Sequence, residues 1–161
     1  MKRLMLGVVL IGPLLLFILA ERSLKRGLHP GDLLPEARLE SLDGVAVQTA
    51  SWRGAPTLLV LFLPACPACR EEIHQLESVA RQLPEVRIVL LSLNGQSPRE
   101  GVPFQVLRDP GGSFVQRARK LLVPTLYWID SAGKVTYART GLRPPASDLH
   151  LFRSLLKEIH D

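Results

Sequence analysis

"LFLPACPACREEIHQL", residues 61–76, joins an apolar run to a charged one through two cysteines, Cys66 and Cys69. They are the only cysteines in 161 residues, and random placement would give this spacing about one time in eighty. A CxxC pair has two established chemical uses, reversible disulfide exchange and half of a metal site. The flanking segments say where in a fold the pair sits.

Upstream, "APTLLVLFL" (Ala55–Leu63) is unbroken apolar sequence between Gly54 and Pro64, as expected for a strand buried on both faces. Downstream, Cys69, Ile73, Leu76, Ala80 and Leu83 share one helical stripe that excludes Glu71, Arg81 and Gln82. This predicts a helix from Pro67 to Leu83, ended by Pro84. "VRIVLLSL" (Val86–Leu93) reads as a second buried strand, so strand, helix and strand form a right-handed crossover between parallel neighbours. Toward the N-terminus, "GLHPGDLLPEARLESLDGVAVQT" reads as a linker running into edge strands, with a hairpin at Leu42–Gly44. Toward the C-terminus, "PFQVLRD" is a short strand and "GGSFVQRARKLL" a helix opening at Ser113. "PTLYWID" and "KVTYARTG" are an antiparallel pair turning at Ser131–Gly133. The tail from Ser147 to His160 is helical, with Leu149, Phe152, Leu155, Leu156 and Ile159 on one stripe. The class is α/β, a central mixed sheet flanked by helices.

A hydrophobic content of 47% supports one domain with a real core and leaves no room for a second. The net charge of +5 is unevenly placed: residues 1–26 hold five Lys or Arg and one acid, the remainder fifteen bases and fourteen acids. That distribution argues for a membrane surface and against nucleic acid. Residues 4–20 carry no charged side chain and lie between Lys2 and Arg3 on one side and Arg22, Lys25 and Arg26 on the other. Such a run is at the short end of the roughly 17–25 residues of a membrane-spanning helix. A cleaved signal peptide competes; Ala20 suits its cut site but Ile18 does not. The preferred division is a signal anchor over residues 1–26 and one domain over residues 27–161. Basic residues on both flanks leave the orientation rule undecided, and the lack of a cysteine near residue 20 excludes a lipoprotein anchor.

At the strand-to-helix junction, Cys66 is expected at the helix N-cap with Pro67 at the first helical position, where a missing N–H costs nothing. Free backbone N–H groups and the helix dipole there favour a thiolate, lowering the Cys66 pKa below the free value of about 8.5. Cys69, one turn in, is the resolving thiol. A structural zinc site would need four ligands, and His29, His74, His150 and His160 contain no second close-spaced pair. No metal is therefore expected, although a copper-handling protein using both thiolates plus His150 or His160 stays as an alternative, and an incidental CxxC on a scaffold is a third. Metal retention would favour the former, and unchanged function in a double Cys-to-Ser variant the latter.

Over residues 31–143 the chain resembles the TlpA/ResA-like, membrane-anchored thioredoxin-fold thiol-disulfide oxidoreductases, through "LESLDGVAV", "CPACREEI" and "LRDPGGSFVQRARKLLVPTLYWIDSAGKV". The resemblance implies a thioredoxin-like fold preceded by one N-terminal transmembrane helix. It also implies a cis proline facing the CxxC, here Pro124, with the Val123 backbone pairing with an incoming peptide as an added strand. A family carboxylate six positions after the first cysteine matches Glu72, placed to exchange protons with the thiols, whereas Glu71 faces solvent. The implied partners are exported proteins bearing thiols or disulfides and a membrane or periplasmic redox protein. The chain is expected to be a monomer, with no cofactor beyond a redox-active Cys66–Cys69 disulfide and its catalytic domain on the outer side of a bacterial inner membrane. Two departures stand out: Pro64 and Ala65 replace the Trp usual before the first cysteine, and Val60 stands where thioredoxins bury an acid. "PACPAC" looks closer to the MauD-like branch. Leu63 occupies the position of the peroxiredoxin Thr or Ser, which disfavours peroxidase activity. Pro67 resembles the motif of oxidising members but does not fix the direction of electron flow.

Overall fold

The computed structural model describes residues 27–118 and 122–160. The expected anchor over residues 1–26 lies outside the described residues. Among those described, no helix is long and apolar enough to cross a membrane.

Among the described residues seven strands form one mixed sheet: β1 (Arg38–Ser41), β2 (Ala46–Gln48), β3 (Thr57–Phe62), β4 (Arg87–Ser92), β5 (Gln105–Arg108), β6 (Thr125–Ile129) and β7 (Val135–Thr140). Their spatial order is β2-β1-β5-β4-β3-β6-β7. The centre, β3, β4 and β5, is parallel, and the flanking β1 and β6 run antiparallel to it. Helix α1 (Pro67–Gln82) makes the crossover from β3 to β4; α2 (Ser113–Ala118) and α3 (Pro145–His160) follow. The expected strand–helix–strand unit is therefore present, with α1 ending one residue short of Leu83, which serves as its C-cap.

Every residue of β3 is buried, because helices or chain cover both faces. The period-two alternation of a strand divides its side chains between two cores. Leu58, Val60 and Phe62 join Leu90, Leu126 and Trp128 against Ile73 and Leu76 of α1 and Phe152 and Leu156 of α3. Leu59 and Leu61 join Val89, Leu91, Leu107 and Tyr127 against Phe114 of α2 and Trp52 of a 3-10 turn, Thr49–Trp52. The Trp128 and Phe152 rings stack with centroids 4.9 Å apart, fixing α3 on the first face. Burial on α1 follows the expected stripe with two changes: Val79 is more buried than Ala80, and Glu72 joins the buried face.

The hairpins turn where expected. Gly44 between β1 and β2 and Gly133 between β6 and β7 take φ of 84° and 85°, a region in which a Cβ is strained. Asp130 accepts N–H bonds from Ala132 and Lys134, closing the second turn. The segment read as a linker is not one over its whole length. Leu28, Leu34 and Ala37 are buried in the second core, and Gly31 and Leu34 donate to the carbonyls of Val135 and Gly133 at 2.8 and 2.9 Å. Its turn formers shape a path along β7, and its scattered leucines supply the packing.

Candidate functional site

β3 runs out at Phe62, and after three intervening residues the chain caps and enters α1 at the carboxyl edge of the parallel strands, where open α/β sheets place their sites. Cys66 is the N-cap of α1, in extended conformation with φ −80° and ψ 114°, and Pro67 opens the helix. The Cys66 sulfur accepts the backbone N–H of Cys69 at 3.1 Å, so one of the free donors of the first turn points at it. Cys66 is half-buried, Cys69 fully buried, and both thiols are free. Burial pushes the Cys69 thiol up from 9.0 to about 12. Its hydrogen bond with Cys66 and the nearby charges of Cys66 and Glu72 act in the same direction, against a backbone hydrogen bond at Leu63.

The Val123–Pro124 peptide bond is cis. Pro124 is buried, and Val123 and Cys66 both pack on the edge of the first core. The Pro124 carbonyl accepts the N–H of Gly141 at 2.9 Å, which joins this loop to the end of β7. Leu122 and Leu142 are exposed beside these two residues, at 64% and 42%.

One turn past Cys69, Glu72 is only 1% exposed. Its Oε1 accepts from Nη2 of Arg139 at 2.6 Å, and the same Nη2 donates to Oδ2 of Asp148 on α3. Nη1 of Arg139 donates to the Gly141 carbonyl. Burial raises the Glu72 pKa from its usual 4.5; the hydrogen bond and charge of Arg139 oppose this without reversing it, and the Asp148 charge adds to it. For Arg139, burial works against the charge, but Glu72 and Asp148 overcome it and hold the guanidinium protonated. Glu71, by contrast, is exposed and bonds only Gln75 on its own helix, at 2.9 Å.

A half-exposed sulfur at a helix N-terminus, a buried sulfur one turn in and a buried carboxylate one turn further form a line from surface to core. Residues 29–151 match the Redoxin family. The chain belongs to that family.

This redoxin is 31% identical over 97 residues to the Thiol:disulfide interchange protein DsbE of Haemophilus influenzae, an alignment covering 55% of the chain and 52% of that protein. It thus spans about half the length of that relative. Among solved structures it is similar to the thioredoxin domain of a thiol-disulfide oxidoreductase from Bacteroides vulgatus, with a TM-score of 0.65, 18% identity and coverage of 80% of this chain and 98% of that one. It is likewise similar to a secreted disulfide oxidoreductase of Mycobacterium tuberculosis, with a TM-score of 0.60, 20% identity and coverage of 71% and 92%. The fold is thioredoxin-like.

The candidates read from the sequence of this redoxin fall at one sheet edge: Cys66, Pro67, Cys69 and Glu72 on the junction and first turns of α1, and Val123 and Pro124 on the loop entering β6. Two residues were missed, Arg139 and Asp148. The signal for them was an arginine on a strand that pairs with the apolar β6, where Arg139 stands opposite Leu126. Val60 lies fully buried in the first core with Cys69 and Ile73, so the buried acids of this redoxin, Glu72 and Asp148, come from α1 and α3 and not from β3. Among the described residues no three His, Cys, Asp or Glu side chains are grouped so as to hold a metal ion, and His150 is exposed on α3.

Proposed function

We propose that this redoxin is a thiol-disulfide oxidoreductase that exchanges disulfides with exported proteins through Cys66 and Cys69. The observation that carries the reading is the contrast between the two sulfurs: Cys66 caps a helix, receives a backbone N–H and is reachable from solvent, whereas Cys69 is sealed and held as a thiol. Cys66 attacks the substrate disulfide and forms a mixed disulfide. Cys69 then attacks the Cys66 sulfur, and the substrate leaves reduced as the Cys66–Cys69 disulfide closes; the opposite direction of electron flow retraces these steps. The substrate peptide lies against Val123 and Pro124 as a short added strand, flanked by Leu122 and Leu142. Glu72 exchanges the Cys69 proton. No cofactor beyond the cysteine pair takes part. The domain works on the outer side of a bacterial inner membrane, held by residues 1–26, as a monomer alongside a membrane or periplasmic redox partner.

The test is made on the full chain. Reduced protein exposed to iodoacetamide at pH 7 is expected to be modified at Cys66 before Cys69, by peptide mass spectrometry. Cys69→Ser should accumulate mixed disulfides with exported proteins, and Cys66→Ser should form none. Faster modification of Cys69 than of Cys66 would overturn the assignment of roles.

A further inference from the structure

Resolution of the mixed disulfide requires Cys69 to lose a proton although its side chain is fully buried, and the surrounding atoms limit where that proton goes. The titratable and charged groups that act with Glu72 are Cys69 at the start of its own helix, Arg139 on β7 and Asp148 on α3. One oxygen of Glu72, Oε1, is taken by Arg139 at 2.6 Å. The other, Oε2, is buried with no hydrogen-bond partner among the described residues. An unpartnered buried carboxylate oxygen is costly, and such groups persist at sites of chemistry.

Building on the proton role proposed for Glu72, we propose that Arg139, aligned by Asp148, is a positioning residue that holds Oε1 and leaves Oε2 to take the Cys69 proton. The guanidinium suits this task because its planar fork fixes the acids on one nitrogen relative to the loop carbonyl on the other and its charge is not lost. Nη2 serves Glu72 and Asp148 together, and Nη1 bonds the Gly141 carbonyl. Gly141 in turn gives its N–H to the Pro124 carbonyl at 2.9 Å, so the same arginine is braced on the loop proposed to hold the substrate. Two buried acids and one buried base leave the cluster one proton short of neutrality, which suits a group that takes a proton up and returns it.

In the resolving step the Cys69 S–H bond breaks and its proton passes to Oε2. The sulfur electron pair forms the bond to the Cys66 sulfur, and the Cys66–substrate S–S bond breaks with its pair leaving on the substrate thiolate. Two electrons pass from the cysteine pair to the substrate disulfide.

An aromatic disulfide probe, dithiobis-nitrobenzoate, separates the steps in the full-length reduced protein. It releases one coloured thiolate when Cys66 attacks and a second when Cys69 resolves, so stopped-flow absorbance gives both rates across pH. Arg139→Met should slow the second phase at neutral pH by about tenfold or more relative to the first, at or below the usual contribution of a general base, and move its profile to higher pH. Asp148→Asn should move the profile to lower pH, because it removes the charge that disfavours ionised Glu72 while Arg139 stays. Arg139→Lys, which keeps the charge but not the fork, should restore part of the rate, and it decides the matter with Asp148→Asn if the methionine variant does not fold. Profiles that do not move, or that move in one direction for the Arg139 and Asp148 variants alike, would overturn the inference. Glu72→Gln separates the two levels: a slowed second phase with unshifted Arg139 and Asp148 variants refutes the role of Arg139 alone, whereas an unslowed second phase refutes the role of Glu72 and that of Arg139 with it.

Discussion

Cys69 and Tyr127 bury their acidic groups in opposite cores of the sheet. Burial raises the Cys69 thiol from 9.0 to about 12, and it raises the Tyr127 phenol above 10.0 against a hydrogen bond from Leu28. In both, the folded state favours the protonated form. Unfolded chain loses the Cys69 proton near pH 9.0 while folded chain holds it to about 12, so this stabilisation is complete below pH 9 and is lost across that window. Tyr127 adds a loss of the same sign beginning near pH 10.0. The urea midpoint of the reduced protein is therefore expected to fall from about pH 9, and Cys69→Ala should delay the fall until Tyr127 begins to titrate. Coincident curves for the two proteins would contradict the burial assigned to Cys69. Glu72 was singled out through the family resemblance, which places a carboxylate six positions after the first cysteine; its partners were not, since a lone arginine or aspartate carries no periodic signal.

Strand β7 explains why Arg139 could not be placed from its pattern. Val135 and Arg139 are four apart, a separation that puts both on one face of a regular strand. In the structure Val135 pairs with Ile129 on the second core, whereas Arg139 pairs with Leu126 on the first. A register irregularity between Trp128 and Ile129 leaves Thr136 without a pair and reverses the faces beyond it. Deleting Thr136, whose hydroxyl is buried without a partner among the described residues, would leave every other β7 residue opposite its present neighbour. Deleting Ala138 would instead turn Arg139 or the start of the strand to the wrong face. The first deletion is expected to lower the urea midpoint far less than the second, and to keep Arg139 effective in the resolving step; equal losses would argue against the bulge. The strong elements were readable for two reasons, β3 and β4 because each is an unbroken apolar run and α1 and α3 because each carries a helical stripe over about four turns, and the antiparallel pair because its turn is marked by Gly133. Segment 28–37 was not, because its contacts are made to β7 and the second core, far along the chain.

For the whole molecule, the division of labour is between a sheet that is apolar on both faces and a single edge where the thiols, Glu72 and the Pro124 loop meet. The proposed location gives a direct prediction: alkaline phosphatase fused after Asp161 is expected to be active in bacteria, because that enzyme folds only outside the cytoplasm, where disulfides persist. Activity from a cytoplasmic reporter alone would place the domain on the other side. The stretch from Gly31 to Leu34 also closes part of the outer margin of β7, exchanging backbone bonds of 2.8 Å in each direction with Val135. The opposite margin, β2, is only three residues long. Unpaired strand margins are where identical chains add to one another and grow into fibres. With one margin short and the other partly sealed by its own chain, this sheet presents little backbone for a second copy to extend, a useful property for a protein proposed to offer extended backbone at Val123 to its substrates.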